Sequence, residues 1–432
     1  MYVTRAQITN IRSISELDWQ IKPEEAPGWH VILGENGSGK STLLRAMALG
    51  LVGVEYVGAL RQDWDEWLTH GEDSGRIDLT IRRDSKYDPG SSKSKRSSAE
   101  TMTSFYLARA EPESKRVRPS TPSTEDDEEA VQNDAWSSEA GWFSASYGPF
   151  RRFSGTTTET QRIFERSSYS RLSAHLSMFG EEYALTEALE WLRQLQFQRL
   201  EKRAEGSLLE KLIKFVNQPD FLPHNARLDE ISSEGVTFKD ANDNRVPVSL
   251  LSDGYRSILS MTFELIRQIS LAYRDSEIFS SDSTEIVAPG VVLIDEPDAH
   301  LHPTWQRRIG FWLREHFPNI QFIVSTHSPL ICQAAIQGSI WKLPRPGSDQ
   351  EFHRVQEPDL NRLLYGNILD AFGTELFGSD VARSEPAKEK LERLAELNMK
   401  ELTNGLSQRE SVEQQDLRAI MPTAASASKQ RK

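Results

Sequence analysis

The chain has 432 residues, a net charge of −13 at pH 7, 38% hydrophobic residues and a mean hydropathy of −0.54. That length supports two or three folding units with a large core, and no apolar run approaches the roughly 20 residues that a membrane helix needs. The single cysteine, Cys332, excludes an internal disulfide and a multi-cysteine zinc site, and its apolar neighbours suggest a buried thiol. The acidic balance requires any nucleic-acid contact to use a local basic patch or a partner chain. Met1 to Arg5 lack the charged-then-apolar layout of a signal peptide, so the expected location is the cytoplasm, with no membrane partner.

Residues 2–33 read as β-rich. Val3–Ile8 and Leu17–Ile21 alternate apolar and polar residues, with Asn10-Ile11-Arg12-Ser13 between them. Pro23 to Gly28 is a turn into Val31-Ile32-Leu33, a short apolar run that reads as a buried strand. Gly34-Glu35-Asn36-Gly37-Ser38-Gly39-Lys40-Ser41 follows at once and fits G-x-x-x-x-G-K-[ST]. Thr42-Leu43-Leu44 then opens an apolar-periodic helix that runs to about Leu51.

Strand, glycine loop and helix in that order are what a phosphate-binding loop requires. Backbone N–H groups turn inward around a polyphosphate, the helix N-terminus adds positive charge, and Lys40 reaches the β- and γ-phosphates. The candidate nucleotide-binding residues are Gly34, Asn36, Gly37, Ser38, Gly39, Lys40, Ser41 and Thr42, with the Ser41 hydroxyl completing a Mg²⁺ shell. A chance glycine turn is the bland alternative, and both flanking elements argue against it.

Composition shifts over about residues 85–130, which are rich in Ser, Lys and Gly and then in Ser, Pro and acids, including Glu125 to Glu129. These hold too little apolar surface to offset ordering and read as flexible loops. Thr103–Leu107 and Trp142–Tyr147 read as short strands, and Gly148-Pro149 with Arg151-Arg152 ends that block. From Ser173 to Val216 the pattern turns helical, through Leu185, Leu189, Leu192 and Leu195 and then Leu208, Leu209, Leu212, Ile213 and Val216. Leu228 to Val248 returns to hairpin-like alternation around an Asp240–Asn244 turn.

Ser252-Asp253-Gly254 opens a helix that runs to about Arg274. Simple capping by Ser252 is one reading. The other is a second phosphate grip, in which the Ser252 hydroxyl and the Gly254 N–H face a γ-phosphate. Val291 to Ile294 reads as a fully buried parallel strand ending in Asp295-Glu296. Asp295 is placed to hold Mg²⁺ and Glu296 to act as general base on water. Pro303 to His316 reads as a helix and Gln321 to Ser325 as a strand. His327, just beyond, lies 32 positions after Asp295 (327 − 295) and can contact the terminal phosphate. Leu360, Leu363, Leu364, Ile368 and Leu369 form one amphipathic segment, and Leu391, Leu394 and Leu397 begin another.

The order of these four motifs resembles the ATP-binding-cassette ATPases, within the branch of the chromosome-maintenance, RecF and overcoming-lysogenization-nuclease proteins. There they are Walker A, signature, Walker B and the switch histidine, and Asp298-Ala299-His300-Leu301-His302-Pro303 resembles the D-loop. A zinc pair at His300 and His302 is a rival reading that lacks a third ligand. The resemblance implies an α/β fold, with a mixed β-sheet head, an inserted helical lobe and a helical C-terminal extension. The units expected are an ATPase lobe over 1–150, a helical insertion and hairpin over 151–247, a second ATPase lobe over 248–345, a helical extension over 346–420 and a disordered tail over 421–432. It also implies two copies sandwiching two ATP molecules, with Mg²⁺. Lys40 and Ser41 would act in cis, and Ser252, Asp253 and Gly254 would act on the partner's nucleotide.

Two departures stand out. Asp253-Gly254-Tyr255 replaces Gly-Gly-Gln, and Tyr147-Gly148-Pro149-Phe150-Arg151-Arg152 stands where a glutamine loop belongs. This last stretch, the short helical insertion and the Leu-rich tail are similar to the PtuA family, the ATPases of Septu-type antiphage systems that also stand beside some retrons. That resemblance implies a homodimer or higher homo-oligomer and a separately encoded HNH-type nuclease partner of the PtuB kind, and it leaves nucleic acid open as a further ligand. A stand-alone RecF-like repair ATPase and a transporter subunit are the alternatives.

Overall fold

The computed structural model describes residues 1–60, 62–84, 86–88, 100–109, 116–120, 142–149, 170–180, 187–203, 206–222, 225–233, 235–273, 276–372, 374–377 and 384–420. Most of the Ser-rich and acidic insertions, Arg151, Arg152, Leu185 and the 421–432 tail lie outside these residues. The chain divides into two units, Met1–Gly366 and Asn367–Lys432.

Among the described residues the first unit carries three sheets. β1 (Tyr2–Ile11), β2 (Ile14–Gln20), β4 (Ser74–Arg82), β5 (Glu100–Arg109) and β6 (Val117–Ser120) form an antiparallel sheet in the order β2-β1-β4-β5-β6. Their alternation leaves Val3, Ala6, Ile8, Ile77, Leu79, Phe105 and Leu107 buried on one face.

The second sheet runs β14-β13-β3-β12-β11-β7, from β3 (Gly28–Leu33), β7 (Ser144–Tyr147), β11 (Gly290–Asp295), β12 (Ile320–Thr326), β13 (Gly338–Lys342) and β14 (His353–Arg354). All its neighbours pair in parallel except β14, which closes the edge antiparallel. β3, β11 and β12 are buried along their whole length, as strands covered on both faces must be. This is the mixed α/β head expected from the motif order.

The helix Lys40–Val52 lies between the two sheets, touching β1, β4 and β5 on one side and β11 and β12 on the other. Ten of its thirteen residues are buried, which is why this helix is apolar on nearly all faces. Among the described residues no single helix is long and apolar enough to cross a membrane.

The helical lobe includes Glu187–Leu200 and Gly206–Val216, which pack on each other and on β8 (Arg227–Ser232). β8, β9 (Gly235–Lys239) and β10 (Arg245–Pro247) form the expected hairpin sheet. Its turn is held by Asp240, whose carboxylate accepts from the backbone of Asn242 at 2.8 Å and of Asn244 at 2.9 Å.

The amphipathic segment around Leu360–Leu369 is broken in two. Helix Asp359–Tyr365 ends where Gly366 turns extended, at φ −70° and ψ 163°, and Ile368–Phe372 begins the second unit. That unit contains an antiparallel pair, Glu385–Thr403 and Gln408–Ile420, around buried Leu394, Leu397 and Leu417. Ion pairs Arg393–Glu413 at 3.0 Å and Arg418–Glu401 at 3.1 Å lace the pair, and such exposed bridges contribute little.

Candidate functional site

The parallel register brings three loop starts to one edge of the central sheet. Leu33 at the end of β3 lies beside Thr326 of β12 and Lys342 of β13, and Asp295 of β11 lies beside Ser325 of β12. The phosphate loop, Asp295-Glu296 and His327 therefore emerge side by side at the carboxyl ends of adjacent strands, where α/β sheets bind ligands.

Gly37 and Gly39 take left-handed backbone, at φ 80° and 96°, and Gly39 is the N-cap of the Lys40–Val52 helix. Side chains rarely adopt that conformation, so the loop needs glycine at both positions. Asn36 and Gly37 are exposed, while Ser41 and Thr42 are half-buried on the first helical turn. The Lys40 ammonium is buried and folded back over the loop, donating to the carbonyls of Gly34 and Glu35 at 3.0 Å each. Burial pushes it down to about 8, against the pull of Glu296 and Asp295. The Ser38 hydroxyl is buried and has no hydrogen-bond partner among the described residues. A glycine loop leading into a helix N-terminus, one folded-back ammonium and one buried hydroxyl fit a polyphosphate.

Opposite the loop, Asp295 is buried and its carboxylate accepts the Ser325 hydroxyl. Glu296 follows on left-handed backbone, at φ 49°, and its N–H donates to Ser325 at 3.1 Å. That rare conformation swings the Glu296 side chain off the strand, and non-glycine residues held this way concentrate at functional sites. His327 Nε2 lies 3.9 Å from Glu296 Oε1, with both side chains partly exposed. Partial burial and then the Lys40 charge hold His327 below the ordinary imidazole range, so it is neutral at neutral pH. Thr326 Oγ1 donates to Asp298 at 2.7 Å, fixing the turn beyond Glu296. Ser41 and Asp295 are the groups suited to a hard divalent cation here, through hydroxyl and carboxylate oxygens.

Ser252 occupies the N-cap of helix Asp253–Ala272, yet it is exposed and its hydroxyl makes no capping bond. Simple capping therefore does not explain it. The Asp253 side chain lies outside the described residues. Gly254 lies under the D-loop: a Cβ added there would sit 3.2 Å from the His300 carbonyl. Among the described residues no hydrogen bond joins Ser252 to the phosphate loop. His302 accepts from the Thr304 N–H at 3.3 Å as a helix cap, and among the described residues no group of three ligating side chains gathers around it or His300.

Tyr147 ends β7 beside Ile294, fully buried, and its hydroxyl has no hydrogen-bond partner among the described residues. Sequence reasoning missed Ser325 as a partner of Asp295, and missed Arg345, whose Nε lies 2.7 Å from Glu35 Oε1. A polar Ser-Thr pair following the apolar run Phe322-Ile323-Val324 was the available signal for Ser325. For Arg345 there was none, since the contact is long-range.

A family model described as "AAA domain, putative AbiEii toxin, Type IV TA system" matches residues 30–333. The chain is 27% identical over 342 residues to Septu protein PtuA of Bacillus mycoides (strain KBAB4), covering 78% of this chain and 40% of that protein. It is 41% identical over 104 residues to the retron Ec83 probable ATPase of Escherichia coli, covering 24% of this chain and 18% of that one. The chain thus spans less than half the length of these curated relatives. Among solved structures, the crystal structure of an SMC head bound to the C-terminal winged-helix domain of ScpA aligns with TM-score 0.50 and 16% identity. That alignment covers 83% of this chain and 99% of that one, a likeness of fold alone.

Proposed function

The chain belongs to the AAA-domain family described as putative AbiEii toxin, Type IV TA system, and from that premise we propose that it binds ATP with Mg²⁺ and hydrolyses it as one half of an ATP-gated joint. One observation carries this reading: the phosphate loop, Asp295-Glu296 and His327 converge at the carboxyl ends of three adjacent parallel strands. Ser41 and Asp295 would hold Mg²⁺, which would supply neutralisation of phosphate charge. Lys40 exchanges its two carbonyl partners for phosphate oxygens. Glu296 accepts the proton of the attacking water, and neutral His327 donates to the γ-phosphate.

Ser252 supports the second half of the reading. An exposed N-cap hydroxyl that caps nothing is suited to the nucleotide of another copy, so that ATP selects a homodimer or a higher homo-oligomer and hydrolysis releases it. The names of the relatives, a Septu protein and a retron probable ATPase, support a place in antiphage defence. The motif resemblance to the PtuA family adds a separately encoded HNH-type nuclease as the partner that the ATPase would control.

The test is phosphate release from MgATP by the full chain. The unaltered chain turns over, Lys40→Ala binds no ATP, and Glu296→Gln binds but hydrolyses roughly 10²-fold more slowly or worse. Unchanged turnover in Glu296→Gln would remove the general base from this reading.

A further inference from the structure

The phosphate loop carries a negative charge of its own. Glu35 is its second residue, and the Glu35 carbonyl is one of the two that hold Lys40. A carboxylate at this place stands against an incoming triphosphate, because like charges a few ångströms apart repel. The chain supplies a counter-charge from far along the sequence. Arg345 lines a cleft of about 810 Å³ beside the loop, shared with Ser13, Gly37 and Ser38, and its Nε lies 2.7 Å from Glu35 Oε1.

The guanidinium is anchored to the same sheet as the loop. Lys342 pairs in register with Leu33, and the Leu343 N–H donates to the Leu33 carbonyl at 2.8 Å. Arg345 stands two residues on, in a turn closed by Ser348, whose N–H and hydroxyl both donate to the Arg345 carbonyl, at 3.1 and 2.8 Å. Lys342, buried below, also feels the Glu35 charge, but Arg345 makes the direct ion pair.

We infer that Arg345 is a positioning residue for the nucleotide: by neutralising Glu35 it sets the affinity of the phosphate loop for triphosphates. This rests on the reading that the loop binds ATP. The pair is about two-fifths exposed on each side, so the effect is moderate and sensitive to salt.

The experiment is calorimetric titration of the full chain with the non-hydrolysable analogue AMPPNP and with ADP, each with Mg²⁺. Arg345→Ala weakens AMPPNP about threefold to tenfold and ADP less, because ADP carries less charge. Raising the salt narrows the gap. Arg345→Ala combined with Glu35→Gln binds as tightly as Glu35→Gln alone, a rescue that damage to the turn would not show. If the unaltered chain binds AMPPNP and Arg345→Ala binds it equally, the inference fails while the ATP reading stands. If the double variant stays as weak as Arg345→Ala, Arg345 acts by another route and the inference also fails. An unaltered chain that binds no AMPPNP overturns both.

Discussion

His327 Nε2 lies 3.9 Å from Glu296 Oε1 at the carboxyl edge of the central sheet. Because burial and Lys40 hold His327 below the ordinary imidazole range, the two form a neutral ring beside a carboxylate, not a salt bridge. His327→Ala is expected to lower turnover about 10- to 100-fold while changing ATP affinity less than about threefold, measured by phosphate release and calorimetry. Turnover of the unaltered chain falls as the pH drops below the ordinary imidazole range, where His327 protonates and pairs with Glu296.

Lys40 gives a second pH dependence, on the alkaline side. Its ammonium titrates at about 8, lowered by burial. Neutral Lys40 cannot pair with phosphate, so ATP affinity falls as pH rises through about 8, and Lys40→Ala abolishes binding throughout. Stability runs the other way. The unfolded chain keeps this proton up to about pH 10.4, so between those values unfolded Lys40 binds more protons and its contribution to stability rises with pH. Affinity and thermal midpoint measured across this window should move in opposite directions.

Ser325 supports Asp295 from the neighbouring strand, and residues that orient a metal-binding carboxylate tune its affinity. Ser325→Ala is expected to shift the Mg²⁺ dependence of hydrolysis to roughly tenfold higher concentration, with nucleotide binding in the absence of Mg²⁺ little changed. A Mg²⁺ titration of phosphate release reads this directly.

Among the described residues the buried Tyr147 hydroxyl has no hydrogen-bond partner. Removing an unsatisfied buried donor costs nothing and relieves its desolvation, so Tyr147→Phe should be neutral or stabilising by about 1 kcal/mol in denaturant unfolding. A loss of stability would mean that the hydroxyl finds a partner in solution.

The motifs of the candidate site were legible where they are written in consecutive residues. A buried strand followed by Gly34–Ser41, another followed by Asp295-Glu296, and His327 past a third each carry their own context. Their convergence followed from the motif order. β4 carries the alternating Ile77, Leu79 and Ile81, but no motif marks it in the sequence. The break at Gly366 is unmarked too, since apolar periodicity continues across it. The Glu35–Arg345 pair could not be read at all, as turn composition says nothing about what a turn touches. Ser252 was the instructive case: its sequence fits an N-cap, and only the geometry reveals a hydroxyl that caps nothing.

The most direct test of the joint is mass in solution. The Glu296→Gln chain, expected to hold ATP without hydrolysing it, is measured by mass photometry with and without MgATP, beside Glu296→Gln combined with Ser252→Arg. The expected result is an ATP-dependent increase in mass for the first, and none for the second although it still binds nucleotide. An unchanged mass for Glu296→Gln at saturating ATP, or association that survives Ser252→Arg, would contradict it.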